Sequence, residues 1–131
     1  MRHSVALIVI FFVAGCSDKR SHGPDGSPID FEQARAKAKA EGKQLFVEFS
    51  ASWCGPCRKM KESTFDDPEV RDRLKGYVEL YVDTDREPEL AQRFGVRGIP
   101  AYLVVRADGS VLLRGTGYRG PREFRMWLQG G

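Results

Sequence analysis

Cys54 and Cys57 stand three residues apart in the segment Trp53-Cys54-Gly55-Pro56-Cys57. Thiol–disulfide exchange needs one sulfur that attacks as a thiolate and a second close enough to resolve the mixed disulfide. If the pair opens a helix, the unpaired N–H groups and the dipole at the helix start favour negative charge on the first sulfur. Its pKa then falls below the ordinary value of about 8.5. Cys54 is therefore expected to be the nucleophile and Cys57, one turn further in, the resolving thiol. Pro56 falls in the first helical turn, where its missing N–H costs little. Other uses of the pair fit worse. A structural zinc needs about four ligands, and no His follows His22. Haem attachment would need His where Arg58 stands. A purely structural disulfide closing so short a loop would restrain little chain entropy. No metal or other cofactor is expected, and the sulfurs themselves form the redox centre.

The elements around the pair can be read from pattern. Leu45-Phe46-Val47-Glu48-Phe49 is a nearly continuous apolar run, as expected of a strand buried on both faces. A lone carboxylate in such a run is costly unless it is paired or useful. Burial raises its pKa, which suits Glu48 as a base that takes a proton from Cys57. Asp30 and Gln33 make a capping box before an Ala-, Lys- and Glu-rich helix over 31–41, which Gly42 ends. The CxxC begins a helical stretch reaching about Thr64, and Asp67-Pro68 starts a short helix. Tyr77 to Val82 reads as a strand, residues 86–94 as a helix, and Ala101–Val105 with Ser110–Leu113 as a hairpin turned at Asp108-Gly109. Gly120-Pro121 opens a last helix with Phe124, Trp127 and Leu128 on one side. The order α-β-α-β-α-β-β-α predicts an α/β sandwich with a mixed sheet.

The amino-terminal part has a different texture. Val5 to Ala14 is an apolar run of ten residues after Arg2 and His3, too short for a bilayer span of about 20 residues but right for a signal-peptide h-region. It ends in Val13-Ala14-Gly15-Cys16, which resembles the lipobox of bacterial lipoproteins. That resemblance implies a signal peptide over 1–15, a lipidated Cys16 and a membrane-anchored chain facing the periplasm, with Ser17 pointing to the outer membrane. Residues 16–29 carry no large apolar side chain before Ile29 and are expected to be a flexible tether. The folded domain is expected over 30–131. The chain has 21 basic and 18 acidic residues, a near balance with no basic block suited to nucleic acid.

Taken together, Phe46 to Cys57 resembles the active-site strand and helix of the thioredoxin family, and Phe94-Gly95-Val96-Arg97-Gly98-Ile99-Pro100 resembles its second signature. Cys57 to Pro68 further resembles the exported branch, which includes the C-terminal domain of the membrane-bound thiol:disulfide interchange protein. The resemblance implies a thioredoxin fold, a mixed central sheet with helices on both faces, and a monomer. It makes Pro100 a cis-proline beside the CxxC, and it places Trp53, Gly55, Pro56, Ile99 and Pro100 on the substrate surface. Glu48 falls where thioredoxin has a buried Asp. Glu79 departs from the family, which carries a Lys there. The Gly-Pro dipeptide and Ile99 resemble reducing members. The implied activity is reduction of protein disulfides outside the cytoplasm, recharged by a transmembrane electron donor of the interchange type. A thiol oxidase or isomerase, a non-catalytic binding module and a metallochaperone are the alternatives.

Overall fold

The computed structural model describes residues 21–130. The signal peptide expected over 1–15 and the lipidation expected at Cys16 lie outside the described residues. The elements are β1 (Ser21–His22), α1 (Phe31–Glu41), β2 (Gln44–Ser50), α2 (Gly55–Met60, continued by a π-helical turn Lys61–Phe65), α3 (Pro68–Leu74), β3 (Tyr77–Asp83), α4 (Pro88–Arg93), β4 (Ala101–Val105), β5 (Val111–Thr116) and α5 (Pro121–Leu128). The sheet order is β1-β3-β2-β4-β5. Only β2 and β3 run parallel; the other pairs are antiparallel. No helix among the described residues is long and apolar enough to cross a membrane.

Each element follows from local chemistry. Asp30 accepts from the Gln33 N–H at 2.8 Å while the Gln33 side chain accepts from the Asp30 N–H at 3.0 Å, closing the expected capping box. Gly42 ends α1 in the left-handed region at φ 63°, a conformation open to glycine without a Cβ penalty. Central strand β2 alternates between two apolar layers. Leu45, Val47 and Phe49 pack with α1, Ala91 and Phe94. Phe46 faces the other way, with Met60, Phe65, Val70, Leu74 and Phe124. Helices thus cover both faces, as expected. Phe46, Phe65 and Phe124 meet edge-to-face with centroids 5.3–5.7 Å apart, the arrangement that aromatic quadrupoles favour.

The tether expected over 16–29 is corrected for its described part. Ser21 and His22 form an edge strand opposite Val82 and Tyr81. The Ser21 hydroxyl bonds Glu87, and the His22 ring stacks on Tyr81 with centroids 5.5 Å apart. A turn follows, closed by the Gly23 N–H on the Ser27 carbonyl at 2.9 Å, and His22 bridges back to Pro28. The physical reason is that an edge strand is held by backbone groups, which any composition supplies. A segment without apolar side chains therefore still docks.

Glu79 departs from the expected Lys, and the structure supplies the missing cation elsewhere. Arg71 of α3 grips it bidentately at 2.8 and 2.9 Å, and the Tyr81 hydroxyl donates to it at 2.6 Å. Glu79 is buried, so removing the cation strands a charge in low dielectric. Arg71→Met is expected to destabilise the domain by about 3 kcal/mol in urea unfolding, whereas the double variant Arg71→Met/Glu79→Leu recovers most of that loss.

Candidate active site

The site is built at one end of the sheet. β2 ends at Ser50, and the loop from Ala51 to Trp53 leads to Cys54, the N-cap of α2. β4 runs antiparallel to β2, so its first residue, Ala101, lies opposite Phe49. Pro100, immediately before it, is thereby carried to the same end as the CxxC. The Ile99–Pro100 bond is cis, as the sequence resemblance implied.

Cys54 and Cys57 form a disulfide with Cα atoms 5.3 Å apart. Both residues are buried. Cys54 has extended backbone at φ −82° and ψ 104°, as an N-cap residue should. Its sulfur accepts the Cys57 N–H at 3.2 Å. That donor is one of the helix's otherwise unpaired N–H groups, so in the dithiol form it favours negative charge on Cys54.

Glu48 is buried on the same face as Phe46, directly opposite Tyr81 of β3. It forms no hydrogen bond or ion pair among the described residues. Burial pushes its pKa up to about 7, and the positive charge of Lys61 opposes that rise. Glu48 and Cys57 line one cavity of about 540 Å³, together with Lys61, Arg58, Tyr81 and His22. The carboxyl therefore has a polar route to solvent, and it titrates where a proton can pass either way near neutral pH.

The other expected residues are placed as follows. Trp53 is 67% exposed, and its indole N–H donates to Asp85 at 2.9 Å. It is a surface side chain and takes no part in the core. Gly55 and Pro56 are exposed, and a Cβ on Gly55 would meet nothing within 4 Å. The outer face of the CxxC turn is thus open to a partner. The Pro100 carbonyl is taken by the Gly117 N–H at 2.8 Å. Ile99, just before it, makes no backbone hydrogen bond among the described residues, which leaves its peptide edge available to an extended chain.

Sequence reasoning missed Lys61, Arg71, Tyr81 and Asp85. A signal was present only for Lys61, which follows Cys57 by one helical turn and so shares its face. The others meet the site through tertiary pairing.

Comparisons with known proteins agree with this geometry. Residues 31–130 match the family described as Thioredoxin-like domain. A Thioredoxin H-type of Oryza sativa subsp. indica is 36% identical over 81 residues, covering 62% of this chain and 63% of that protein. The Thiol:disulfide interchange protein DsbD of Vibrio cholerae is 33% identical over 101 residues, covering 72% of this chain and 17% of that protein. The chain thus spans less than two thirds of either curated relative. Among solved structures, the oxidised DsbD C-terminal domain of Neisseria meningitidis superposes with a TM-score of 0.63 at 25% identity, covering 73% of this chain and 87% of that one. A thioredoxin from Thermus thermophilus gives 0.66 at 29% identity, covering 77% and 86%.

Glu48 makes stability depend on pH. Its folded pKa lies above the unfolded value, 4.5 rising to about 7, so the native state holds the proton more tightly. The contribution is fully present below the unfolded value and is lost as pH rises through the folded one. Oxidised wild type is expected to lose about 2 kcal/mol of unfolding free energy between pH 5 and pH 8 through this group. Urea unfolding of Glu48→Gln should show that dependence removed.

Proposed function

The chain belongs to the thioredoxin-like family, and we propose that it is an exported, lipid-anchored thiol–disulfide oxidoreductase that reduces protein disulfides outside the cytoplasm. The observation that carries the exchange chemistry is the Cys54–Cys57 disulfide at the start of α2, with the Cys57 N–H directed at the Cys54 sulfur.

In the dithiol state the Cys54 thiolate attacks one sulfur of a substrate disulfide. The substrate S–S bond breaks, a mixed disulfide forms, and one substrate thiol leaves with a proton. Cys57 then gives its proton to ionised Glu48 and attacks the Cys54 sulfur. The mixed disulfide breaks and the second substrate thiol departs with a proton. Two electrons have passed to the substrate, and the chain is left with Cys54–Cys57 joined. The cavity beside Cys57 lets Glu48 return its proton to solvent. Trp53, Gly55, Pro56 and Ile99 form the surface that receives the substrate, whose extended backbone pairs with the free peptide edge before cis-Pro100.

The reducing direction is supported by the Gly-Pro dipeptide and Ile99 at their positions. A reductase in an oxidising compartment needs an electron source. The likeness to interchange proteins supports a transmembrane donor of that type, and the Val13-Ala14-Gly15-Cys16 segment supports the anchor, on an outer membrane facing the periplasm. The domain acts as a monomer in this reading.

Insulin-disulfide reduction is expected in wild type and absent in Cys54→Ser. Cys57→Ser should hold substrates as mixed disulfides on Cys54, recoverable for mass spectrometry. Glu48→Gln should slow turnover by about a hundredfold at the resolving step. Equilibration with glutathione should place the couple near thioredoxin at about −270 mV; a value near −120 mV would instead mark an oxidant.

A further inference from the structure

The docked amino-terminal strand fixes where the anchored chain meets the domain. β1 runs antiparallel to β3, with Ser21 opposite Val82 and His22 opposite Tyr81. β3 is parallel to β2, and Val82 is paired with Phe49 close to the start of the CxxC loop. The chain therefore arrives at Ser21 from the same end of the sheet that carries Cys54. His22 and Pro24 go on to line the cavity shared by Glu48 and Cys57. Ser21 is buried and bonded to Glu87, His22 is stacked on Tyr81, and the Ile29 N–H closes back on the Ser21 carbonyl at 3.3 Å. The β1–β3 pairing, the Ser21–Glu87 bond and the His22–Tyr81 stack thus hold the segment to the domain, and the Ile29–Ser21 bond closes its turn.

From this geometry we infer that the domain is held with its Cys54 end toward the membrane, and that it serves disulfides and dithiols displayed at the bilayer surface in preference to freely diffusing ones. The inference rests on the reading of Cys16 as the lipid-bearing residue. Five residue steps separate Cys16 from Ser21, a reach of at most about 18 Å even when fully extended. Had residues 16–29 all been free, the reach would have been more than twice as long and the domain able to present any face. Docking shortens the effective tether to the part before Ser21 and attaches it at the active-site end.

The test places the full lipidated chain in phosphatidylcholine vesicles that contain a lipid with a pyridyl disulfide on its headgroup. The reduced chain attacks the lipid-side sulfur through Cys54 and releases pyridine-2-thione, which is read by absorbance. Cys57 then frees the lipid thiol as Cys54–Cys57 closes, so two electrons pass from protein to probe. Two variants carry the same twelve Gly/Ser residues, inserted either between Arg20 and Ser21 or between Asp25 and Gly26 in the exposed turn. Rates with soluble dipyridyl disulfide normalise both, so a partly misfolded variant still reports. The first insertion lengthens the true tether, and the normalised headgroup rate should fall about fivefold, following the −3/2 power of linker length. The second insertion loops out behind a strand that stays docked, and the rate should match wild type. Equal falls in both variants, or a rise with the first, would overturn the orientation. Palmitate labelling of wild type and Cys16→Ser reads the anchor separately. No label on wild type overturns the anchor reading and the orientation with it, whereas label with equal falls overturns the orientation alone.

Discussion

The position of β2 between two apolar layers is the constraint on which the site depends. The strand is paired on both edges and buried on both faces, and its twofold alternation leaves no freedom of register. Leu45, Val47 and Phe49 fill the layer under α1, while Phe46 and Glu48 face α2 and α3. A slip of one residue would drive Glu48 into the opposite layer and put Val47 and Phe49 beneath the CxxC helix. The apolar residues of the strand thus determine where its single carboxylate stands. They also set where the chain emerges, since the loop to Cys54 begins as soon as β2 leaves its neighbours at Ser50.

Two buried carboxylates share that face and are treated oppositely. Glu79 receives a bidentate guanidinium and a phenol hydroxyl. The cost of burying its charge is met by partners; the hydrogen bond to Glu79 raises the pKa of Arg71, and burial, followed by the charge of Glu79, raises that of Tyr81. Glu48 receives neither, has only the more distant charge of Lys61 to help it, and titrates near neutrality. Burial alone raises the pKa of Glu48, and Lys61 opposes that rise.

The parts of the fold governed by short-range rules were legible in the sequence. The capping box at Asp30, the αL glycine at 42 and the Asp108-Gly109 hairpin each express a local preference, and the burial of β2 was visible in its composition. The order and type of elements after residue 30 followed from these. Docking of Ser21 and His22 was not legible, because an edge strand is held by peptide groups that every residue carries. The π-helical turn over Lys61–Phe65 was also hidden; within it the Thr64 hydroxyl reaches the Arg119 carbonyl at 2.6 Å across 55 positions. At the site, the motif named Cys54 and Cys57, the apolar run around Glu48 singled it out, and resemblance named cis-Pro100 and the role of Glu48. The Arg71–Glu79–Tyr81 cluster and the Trp53–Asp85 bond needed the tertiary structure, since neither spacing nor residue type links those positions.

The direction of electron flow turns on how the protein treats charge on the reduced sulfurs. A dithiol becomes a strong oxidant when its reduced form is heavily stabilised, and a better reductant when that stabilisation is small. Cys54 receives one helix-end N–H, enough to favour an attacking thiolate. Across the cavity, Glu48 carries partial negative charge at neutral pH, and a carboxylate there opposes further negative charge on Cys57. The two influences act on different sulfurs. In the proposed mechanism the helix-end N–H acts on the attacking sulfur and the carboxylate acts on the resolving one. In the proposed reducing direction, a dithiol stabilised only at Cys54 closes to the disulfide more readily than one stabilised at both sulfurs. Lys61, on the turn after Cys57, is the cation that opposes the raised pKa of Glu48, and Arg58 and Arg71 line the same cavity.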